Sequence, residues 1–299
     1  MAVLAPSSTH AGEMSVHPFP VPNIKFPTEC EDWDEWDKPA TPFIIYGNTF
    51  YVGTCGISAI LIVGDFGNIL IDGGTEAGAD LVAANIRALG FDIEDVDIIL
   101  TSHEHHDHVG GVARLQELTG AVVLTSVEAA AVLTTGVATP GDPQFGMHDA
   151  FPAARVGGLV TPGTPVTLGE AACLCPIGML ELMPVATPGH TPGALSWQWE
   201  SCNGGNCLTI VYADSLTPVS RDGYRFSDHP DNVAAFRGSI AKVAALDCDI
   251  LLTPHPSASR LRDRLLGAAP LVDPEACRKY AADKEVRLDE RLFEEAGPE

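Results

Sequence analysis

The chain has 299 residues, 45% of them hydrophobic and 19% charged, a composition that supports a sizeable core and excludes a mainly disordered protein. Its 17 basic and 40 acidic residues give a formal net charge of −23, which argues against nucleic acid and anionic membrane surfaces as partners. No segment approaches the ~20 continuous apolar residues of a transmembrane helix, and residues 1–14 lack the basic and apolar regions of a complete secretory signal.

The start of the chain is rich in proline and acidic residues and predicts an extended N-terminal arm, which we place at residues 1–29. No linker divides residues 30–299, which are predicted to form one domain. Short β-branched or aromatic runs between glycine-rich turns predict strands at residues 43–46, 50–52, 60–63, 69–71, 96–100 and 121–124. Apolar side chains at helical spacing predict helices at residues 77–89, 112–118 and 126–133.

The second half of the chain repeats this order of elements. Residues 135–165 are rich in Gly and Pro and are predicted to be irregular. Strands are predicted at residues 179–185, 195–199, 208–212 and 250–252, a helix at residues 232–246, and one or two C-terminal helices at residues 273–296. Strand clusters that are followed by helices, twice along the chain, predict an α/β fold in which two sheets pack together with helices outside.

Four potential metal ligands lie within six residues directly after the strand predicted at residues 96–100. Alternate side chains of an extended segment share a face, so His103, His105 and Asp107 are predicted to point into one cavity, and the turn that follows can bring in His108. His106 lies between the inward positions and is predicted to point away. Imidazole and carboxylate groups are zinc ligands, and four of them exceed one open tetrahedral site, which favours two neighbouring metals.

Two further histidines follow predicted strands. His190 lies in the segment Thr-Pro-Gly-His-Thr-Pro-Gly, and His255 lies in Thr-Pro-His-Pro. Because functional sites are usually built from loops at one edge of a rigid sheet, both are predicted to complete the metal centre. The isolated histidines His148 and His229 are assigned no role.

The eight cysteines include no Cys-x-x-Cys pair, which argues against zinc-ribbon and thioredoxin-like sites. Cys202 and Cys207 flank an Asn-Gly-Gly-Asn turn that can bring two strand ends within disulfide distance, and a disulfide there favours an oxidising compartment. Buried thiols of a cytosolic enzyme are the alternative that composition alone leaves open.

The pattern His-x-His-x-Asp-His after a strand, followed by Gly-His and a final His, resembles the signature of the metallo-β-lactamase superfamily. The resemblance runs from about Cys30 to the C-terminal helix. It includes Leu-Ile-Asp-Gly-Gly at residues 70–74, where the superfamily places an Asp behind its metals. The resemblance implies a four-layer αβ/βα sandwich, the metallo-β-lactamase fold, with a two-metal site at one edge of the sheets.

Three further segments, at residues 212–216, 253–256 and 273–278, resemble the third subclass of the zinc (class B) β-lactamases. In that subclass a serine stands where the other subclasses have a cysteine ligand, and its members are typically periplasmic. The resemblance therefore implies export to the periplasm. It also implies three disulfides: Cys30–Cys55, Cys202–Cys207 and Cys248–Cys277. It gives no counterpart for Cys173 and Cys175.

By the same resemblance the chain holds two Zn²⁺ ions. The implied ligands of the first are His103, His105 and His190, and those of the second are Asp107, His108 and His255. The implied reaction is hydrolysis of the β-lactam amide bond of penicillins, cephalosporins or carbapenems by a metal-bound hydroxide, with Asp107 orienting the attacking water, and it confers antibiotic resistance. The expected partner is this small-molecule substrate, without nucleic acid or membrane, and the chain is expected to be a monomer.

Ser215 and Thr217 are candidates to bind the substrate carboxylate, with ordinary loop hydroxyls as the alternative. Gln144 and Phe145 lie in a segment that resembles the mobile flap of the subclass, and a packed surface Phe is the alternative there. Adjacent strand residues face opposite sides, so only one of Asp214 and Ser215 can face the metals. The sequence context favours Ser215.

Three other functions remain as alternatives. A thioesterase of the glyoxalase II type or a lactonase of the same fold would gain support if Asp214 faced the metals. A non-enzymatic zinc-binding module would need a closed ligand sphere, whereas six ligands over two metals leave room for water and substrate. A nuclease of the same superfamily is opposed by the net charge.

Overall fold

The computed structural model describes residues 24–170 and 178–297. Residues 1–23 of the predicted arm, together with Cys173 and Cys175, lie outside the described residues. Within the predicted arm, Phe26–Glu29 forms a short helix, α1, instead of extended chain. Pro27 suits the first turn of a helix, and Phe26 is buried in the core, so this part of the chain belongs to the folded body.

The first sheet has seven strands in the order of the sequence. Its strands are β1 (Phe43–Tyr46), β2 (Thr49–Tyr51), β3 (Ile60–Gly64), β4 (Gly67–Ile71), β5 (Val96–Leu100), β6 (Val122–Thr125) and β7 (Val156–Leu159). The strands from β1 to β4 are antiparallel, and those from β4 to β7 are parallel. The helices of this half are α2 (Ala79–Ala88), α3 (His106–Val109), α4 (Val112–Thr119) and α5 (Val127–Thr135).

The second sheet has five strands in the order β12-β11-β10-β9-β8. They are β8 (Val166–Leu168), β9 (Leu180–Ala186), β10 (Leu195–Asn203), β11 (Asn206–Tyr212) and β12 (Ile250–Leu252). Neighbouring strands from β8 to β11 are antiparallel, and β12 joins β11 in parallel. The helices of this half are α6 (Pro230–Ala244), α7 (Leu261–Leu265) and α8 (Ala276–Ala296).

The two sheets pack face to face with helices on both outer sides, as predicted. Along β3, Ile60 and Ile62 face the second sheet and meet Trp197 and Tyr212, whereas Leu61 belongs to the apolar cluster under α2 and α4. A third cluster fills the space between the second sheet and the helices α6 and α8. These three apolar clusters lie between the four layers of the αβ/βα sandwich, which are helices, sheet, sheet and helices.

Besides α1, two strands and two short helices were not predicted from the sequence pattern. Within the stretch predicted to be irregular, β7 pairs with β6 at the edge of the sheet. Its sequence, Val-Gly-Gly-Leu, does not predict a strand because glycine has a low strand propensity, so the hydrogen bonds with β6 define this element. The three-residue strand β8 follows that stretch. The helices α3 and α7 have four and five residues, too few for a helical pattern to be visible.

The helix boundaries follow local chemistry. Ser126 caps α5, with its hydroxyl oxygen accepting a hydrogen bond from the Ala129 amide at 3.1 Å, and the helix ends at Gly136 in the left-handed conformation. Pro230 begins α6 at a position where its missing amide proton costs nothing. The structure contains the three disulfides that the resemblance implies: Cys30–Cys55, Cys202–Cys207 and Cys248–Cys277.

Among the helices that the structure describes, none has the length and apolarity needed to cross a membrane.

Candidate metal centre

Six potential metal ligands meet where several strands end at one edge of the two sheets. The segment after β5 supplies His103, His105, Asp107 and His108, while the turns after β9 and β12 supply His190 and His255. Five of the six residues are buried, and the side chain of His255 is 22% exposed. The site is therefore closed on the protein side and open beside His255.

Three of the imidazoles form one group. His103, His105 and His190 each present a ring nitrogen, and these three atoms lie within 4.8 Å of one another. The ring centroids are 4.8–4.9 Å apart. Three imidazoles at this spacing form a typical open zinc site with a fourth position left for water or substrate.

The remaining three ligands form a second group beside the first. Oδ2 of Asp107 lies 3.0 Å from Nε2 of His108 and 3.4 Å from Nε2 of His255. His103, Asp107 and His108 also offer ligand atoms within 4.8 Å of one another, so the two groups share one centre. The predicted extended path holds only as far as His105, since α3 begins at His106 and its first turn brings in Asp107 and His108.

Two of the three imidazoles in the first group are oriented by acidic side chains. Nδ1 of His103 lies 2.7 Å from Oδ1 of Asp214, and Nε2 of His105 lies 3.1 Å from Oδ2 of Asp142. Each carboxylate accepts a hydrogen bond from the N–H of one ring nitrogen, which leaves the other nitrogen free to bind a metal. Sequence reasoning missed Asp142, whose position in a proline-containing loop carries no local signal.

Backbone carbonyls orient two more histidines. Nδ1 of His190 donates to the carbonyl oxygen of Thr217 at 2.8 Å, and Nδ1 of His255 donates to that of Gly56 at 3.3 Å. In both rings the proton is thereby held at Nδ1, and Nε2 keeps its lone pair. This is the tautomer that a metal ligand requires.

The donor set fits a resident cation. Nε2 of His103 is buried and has no hydrogen-bond partner among the described residues. Burying such a polar atom without a partner is costly, and metal coordination removes that cost. Burial lowers the pKa of His190 to about 3 and that of His255 to about 4, so both rings are neutral ligands at physiological pH.

Asp107 is held as a carboxylate. Burial alone would raise the pKa of this carboxyl, but the rings of His108 and His255 outweigh burial and keep the pKa well below its ordinary value. The ionised oxygen is the form that can bind a metal or accept a hydrogen bond from water.

Asp72 supports the ligand segment from behind, at the position that the resemblance implies. Its Oδ1 accepts from the Ser102 amide at 2.7 Å, and its Oδ2 accepts from the Ser102 hydroxyl at 2.7 Å and the Tyr212 hydroxyl at 2.8 Å. The backbone of Asp72 is left-handed, with φ of 63°, an unfavourable conformation that these hydrogen bonds hold in place. Asp72 thus joins the two sheets directly beneath the centre.

Glu104 joins the ligand segment to the turn that carries His190. Its buried carboxylate accepts from the Thr191 hydroxyl at 2.6 Å and from the Gly193 amide at 2.8 Å. A Cβ at position 193 would lie 2.8 Å from that carboxylate and 2.6 Å from the Ala129 amide nitrogen, so only glycine fits there. Glu104 lies inside the histidine motif, yet the motif itself gives it no function.

Asp214 belongs to neither group of ligand atoms among the described residues, because its Oδ1 contacts His103 from the side opposite the centre. Ser215 is buried, and the prediction that it faces the metals stays a prediction. His106 turns away from both groups, as predicted, and lies 4.1 Å from the His148 ring and 5.4 Å from the Trp36 ring, centroid to centroid.

The segment predicted to cover the site is anchored at its base. The Arg221 amide donates to the Pro143 carbonyl at 3.0 Å, and the Arg221 guanidinium lies 6.0 Å from the centroid of the Phe145 ring. Phe145 is 37% exposed, whereas Gln144 is buried. Phe145 therefore presents part of its ring to solvent, and its contact with substrate stays a prediction.

Comparison with known proteins agrees with this architecture. The family model described as "Metallo-beta-lactamase superfamily" matches residues 52–203, just over half of the chain. A 26-residue segment is 77% identical to a hydroxyacylglutathione hydrolase of Pseudomonas aeruginosa, but it covers only 10% of that protein.

Solved structures match over nearly the whole chain. The metallo-β-lactamase MIM-2 is 54% identical, with 90% of this chain and 97% of that chain covered and a TM-score of 0.83. MEM-A1, a subclass B3 metallo-β-lactamase from a soil metagenome library, is 43% identical, with coverage of 88% and 99% and a TM-score of 0.80. The chain therefore belongs to the metallo-β-lactamase superfamily, with subclass B3 enzymes among its structural neighbours.

Proposed function

We propose that this protein is a zinc-dependent β-lactamase, which hydrolyses the amide bond of penicillins, cephalosporins or carbapenems and so confers antibiotic resistance. The observation that carries this proposal is the cluster of six metal-binding side chains in a chain that is 54% identical to a metallo-β-lactamase along 97% of that enzyme.

We infer two zinc ions per chain. His103, His105 and His190 would hold the first, and Asp107, His108 and His255 would hold the second. Bound zinc would polarise the lactam carbonyl and lower the pKa of water to ~7, which makes a nucleophile available at neutral pH. His103 belongs to the first group, and its ligand atom also lies within 4.8 Å of those of Asp107 and His108 in the second group. This proximity of the two groups supports a site with two neighbouring metals.

The side chains of the site position water and substrate for this reaction. The carboxylate of Asp107 accepts a hydrogen bond from the attacking water and orients it towards the lactam carbon, a role that its lowered pKa supports. Asp214 and Asp142 hold the rings of His103 and His105 in fixed tautomers. The reacting groups are therefore arranged before substrate arrives.

Ser215 and Thr217 are proposed to bind the substrate carboxylate, and Gln144 and Phe145 to contact the rest of the substrate. Thr217 also holds His190 through its carbonyl oxygen, which places its side chain beside a metal ligand. A carboxylate bound there lies next to the centre, so the scissile amide reaches the metals.

We further propose a monomer that works in the periplasm. Three disulfides among the described cysteines support an oxidising compartment, since such bonds rarely persist in the cytosol.

A spectrophotometric hydrolysis assay with one carbapenem, with and without a chelator, tests the activity. We expect turnover that the chelator abolishes and added zinc restores. A parallel assay with a glutathione thioester addresses the thioesterase alternative, which the placement of Asp214 outside the ligand groups disfavours. Thioester cleavage without carbapenem hydrolysis, in protein shown to contain zinc, would overturn the proposal.

A further inference from the structure

A separate large cavity lies beside the metal centre, between α8 and the segment that follows β12. Its volume is about 580 Å³, within the range of small-molecule sites. One wall is a face of α8, on which Ala276, Tyr280, Asp283 and Arg287 recur at helical spacing. The facing wall comes from the chain around α7, and none of the six proposed metal ligands lines the cavity.

The lining of this cavity is rich in basic residues, although the protein as a whole is acidic. It includes five of the 17 basic residues of the chain but only two of the 40 acidic ones. The basic residues are Arg260, Arg264, Lys279, Lys284 and Arg287, and the acidic ones are Asp273 and Asp283. Arg260 is paired with Asp263 at 2.7 Å, so the lining keeps a formal excess of two positive charges, which attracts anions in a chain of net charge −23.

Arg264 carries a buried charge that no carboxylate neutralises directly. Its side chain donates to the backbone carbonyls of Leu251, Pro270 and Leu271, and the residue is only 7% exposed. Among the described residues it forms no ion pair within 4.0 Å. Burial lowers the pKa of this guanidinium to about 10, which leaves it protonated at neutral pH. Asp273 acts on this guanidinium electrostatically, but its Oδ2 already pairs with Nζ of Lys279 at 2.7 Å, so the charge of Arg264 is compensated only in part.

Two more cations share one carboxylate. Nζ of Lys284 lies 3.0 Å from Oδ2 of Asp283, and Nε of Arg287 lies 3.1 Å from the same oxygen. The Lys284 side chain is 5% exposed and lies 4.7 Å from the centroid of the Tyr280 ring. One negative charge between two positive ones leaves hydrogen-bonding capacity for a second anion.

We propose that this cavity binds a small organic dianion, a dicarboxylate whose two charged ends meet the cations of α8 and the field of Arg264. The apolar side chains of Leu251, Ala258 and Pro270 line the same space and can accept the carbon chain between the two carboxylates. Charge-assisted hydrogen bonds from Lys and Arg supply the affinity.

The cavity also reaches the backbone that holds the metal centre. Trp33 and Thr217 line it. The Trp33 ring lies 6.1 Å from that of His255, and the Thr217 carbonyl accepts from His190. A bound dianion thus rests against two segments that position metal ligands, without touching the ligands themselves.

Isothermal titration of the zinc-loaded protein with succinate, at constant ionic strength set by NaCl, tests the proposal. We expect saturable binding of one succinate per chain and at least tenfold weaker binding of acetate. The double variant Lys279→Gln and Arg287→Gln removes two exposed cations, which pair with Asp273 and Asp283, and keeps Arg264, so succinate affinity should fall by about tenfold or more. The matched control Arg114→Gln with Lys242→Gln removes two cations elsewhere and should bind as the wild type does.

Three results would overturn the proposal. Wild-type protein could show no saturable binding of succinate. Binding could be equally strong in the cavity variant and in the control. Finally, binding could survive in the cavity variant but disappear in His255→Ala, which would place the anion at the metals instead.

Discussion

Oδ1 of Asp214 lies 2.7 Å from Nδ1 of His103, and both side chains are almost completely buried. The carboxylate contacts the ring from behind, so Nε2 of His103 is the nitrogen directed to the metal centre. This contact gives Asp214 a supporting role behind His103.

Replacing Asp214 by Ala should therefore weaken zinc binding without changing the ligands themselves. Loss of such a supporting carboxylate typically reduces metal affinity by about 10–100-fold. Asp214→Asn keeps a hydrogen-bond acceptor and should be affected less. Competition with a chromophoric chelator measures this affinity, and equal affinity in wild type and Asp214→Ala would remove the supporting role.

His255→Ala should lower the zinc content from about two ions per chain towards one, because the second group would lose one of its three ligands. His106→Ala is the matched control, since His106 adjoins the ligands in sequence but faces Trp36 and His148. Elemental analysis of both variants after equilibration with equal zinc gives the stoichiometry. An unchanged value in His255→Ala would take His255 out of the ligand set.

Two disulfides among the described residues, Cys248–Cys277 and Cys202–Cys207, should contribute unequally to stability. Cys248 and Cys277 are separated by 29 residues, and Cys202 and Cys207 by 5, so the longer loop loses more unfolded-state entropy on closure. Replacing both Cys248 and Cys277 by Ala should lower the free energy of unfolding by about 3–4 kcal/mol. Replacing both Cys202 and Cys207 by Ala should lower it by about 2 kcal/mol. Urea unfolding without reductant compares them, and a larger loss in the hairpin variant would contradict the argument.

The meeting of these six side chains was predictable because metal chemistry restricts residue type and the fold restricts position, while their assignment as zinc ligands stays a prediction. His103 follows a predicted strand of the first sheet. His190 and His255 follow predicted strands of the second sheet that run in the same direction and so end at the same edge. Among the groups behind the ligands, Asp72 followed from the resemblance, but Asp142 was not predictable in the same way. Asp142 reaches His105 across 37 residues of chain, and an acidic residue in a loop carries no mark of its partner.

Strands and helices were predictable where apolar side chains recur in a strand or helix pattern. They were not predicted where only backbone hydrogen bonds define the element. Ile60–Gly64 shows β-branched residues in a row, whereas Val156–Leu159 contains two glycines and is a strand only because β6 lies beside it. Likewise, His106–Val109 turns into a helix where the histidine spacing favoured extended chain. Tertiary contacts decided both cases.

The end of α8 is tied to the chain before α6 by one carboxylate. Oε1 of Glu295 accepts from the Phe226 amide at 2.9 Å and from Nε of Arg291 at 2.7 Å, and Oε2 accepts from the Ser227 amide at 2.8 Å. Burial alone would raise the pKa of Glu295, but these hydrogen bonds outweigh burial and lower the pKa from 4.5 to about 2. The carboxylate therefore stabilises the folded state only while it is ionised.

Glu295→Gln should lower the free energy of unfolding by about 1–2 kcal/mol at pH 7, because a charged acceptor is replaced by a neutral one. The folded-state pKa lies below the unfolded-state value, so the contribution is complete above pH 4.5 and is lost as the pH falls towards 2. The difference between wild type and variant should accordingly shrink between pH 5 and pH 3 in urea unfolding. Glu294→Gln, at an exposed neighbouring position, should show little difference at any pH. A gap for Glu295→Gln that stays constant over this range would mean that the Glu295 carboxylate does not stabilise the fold through its charge.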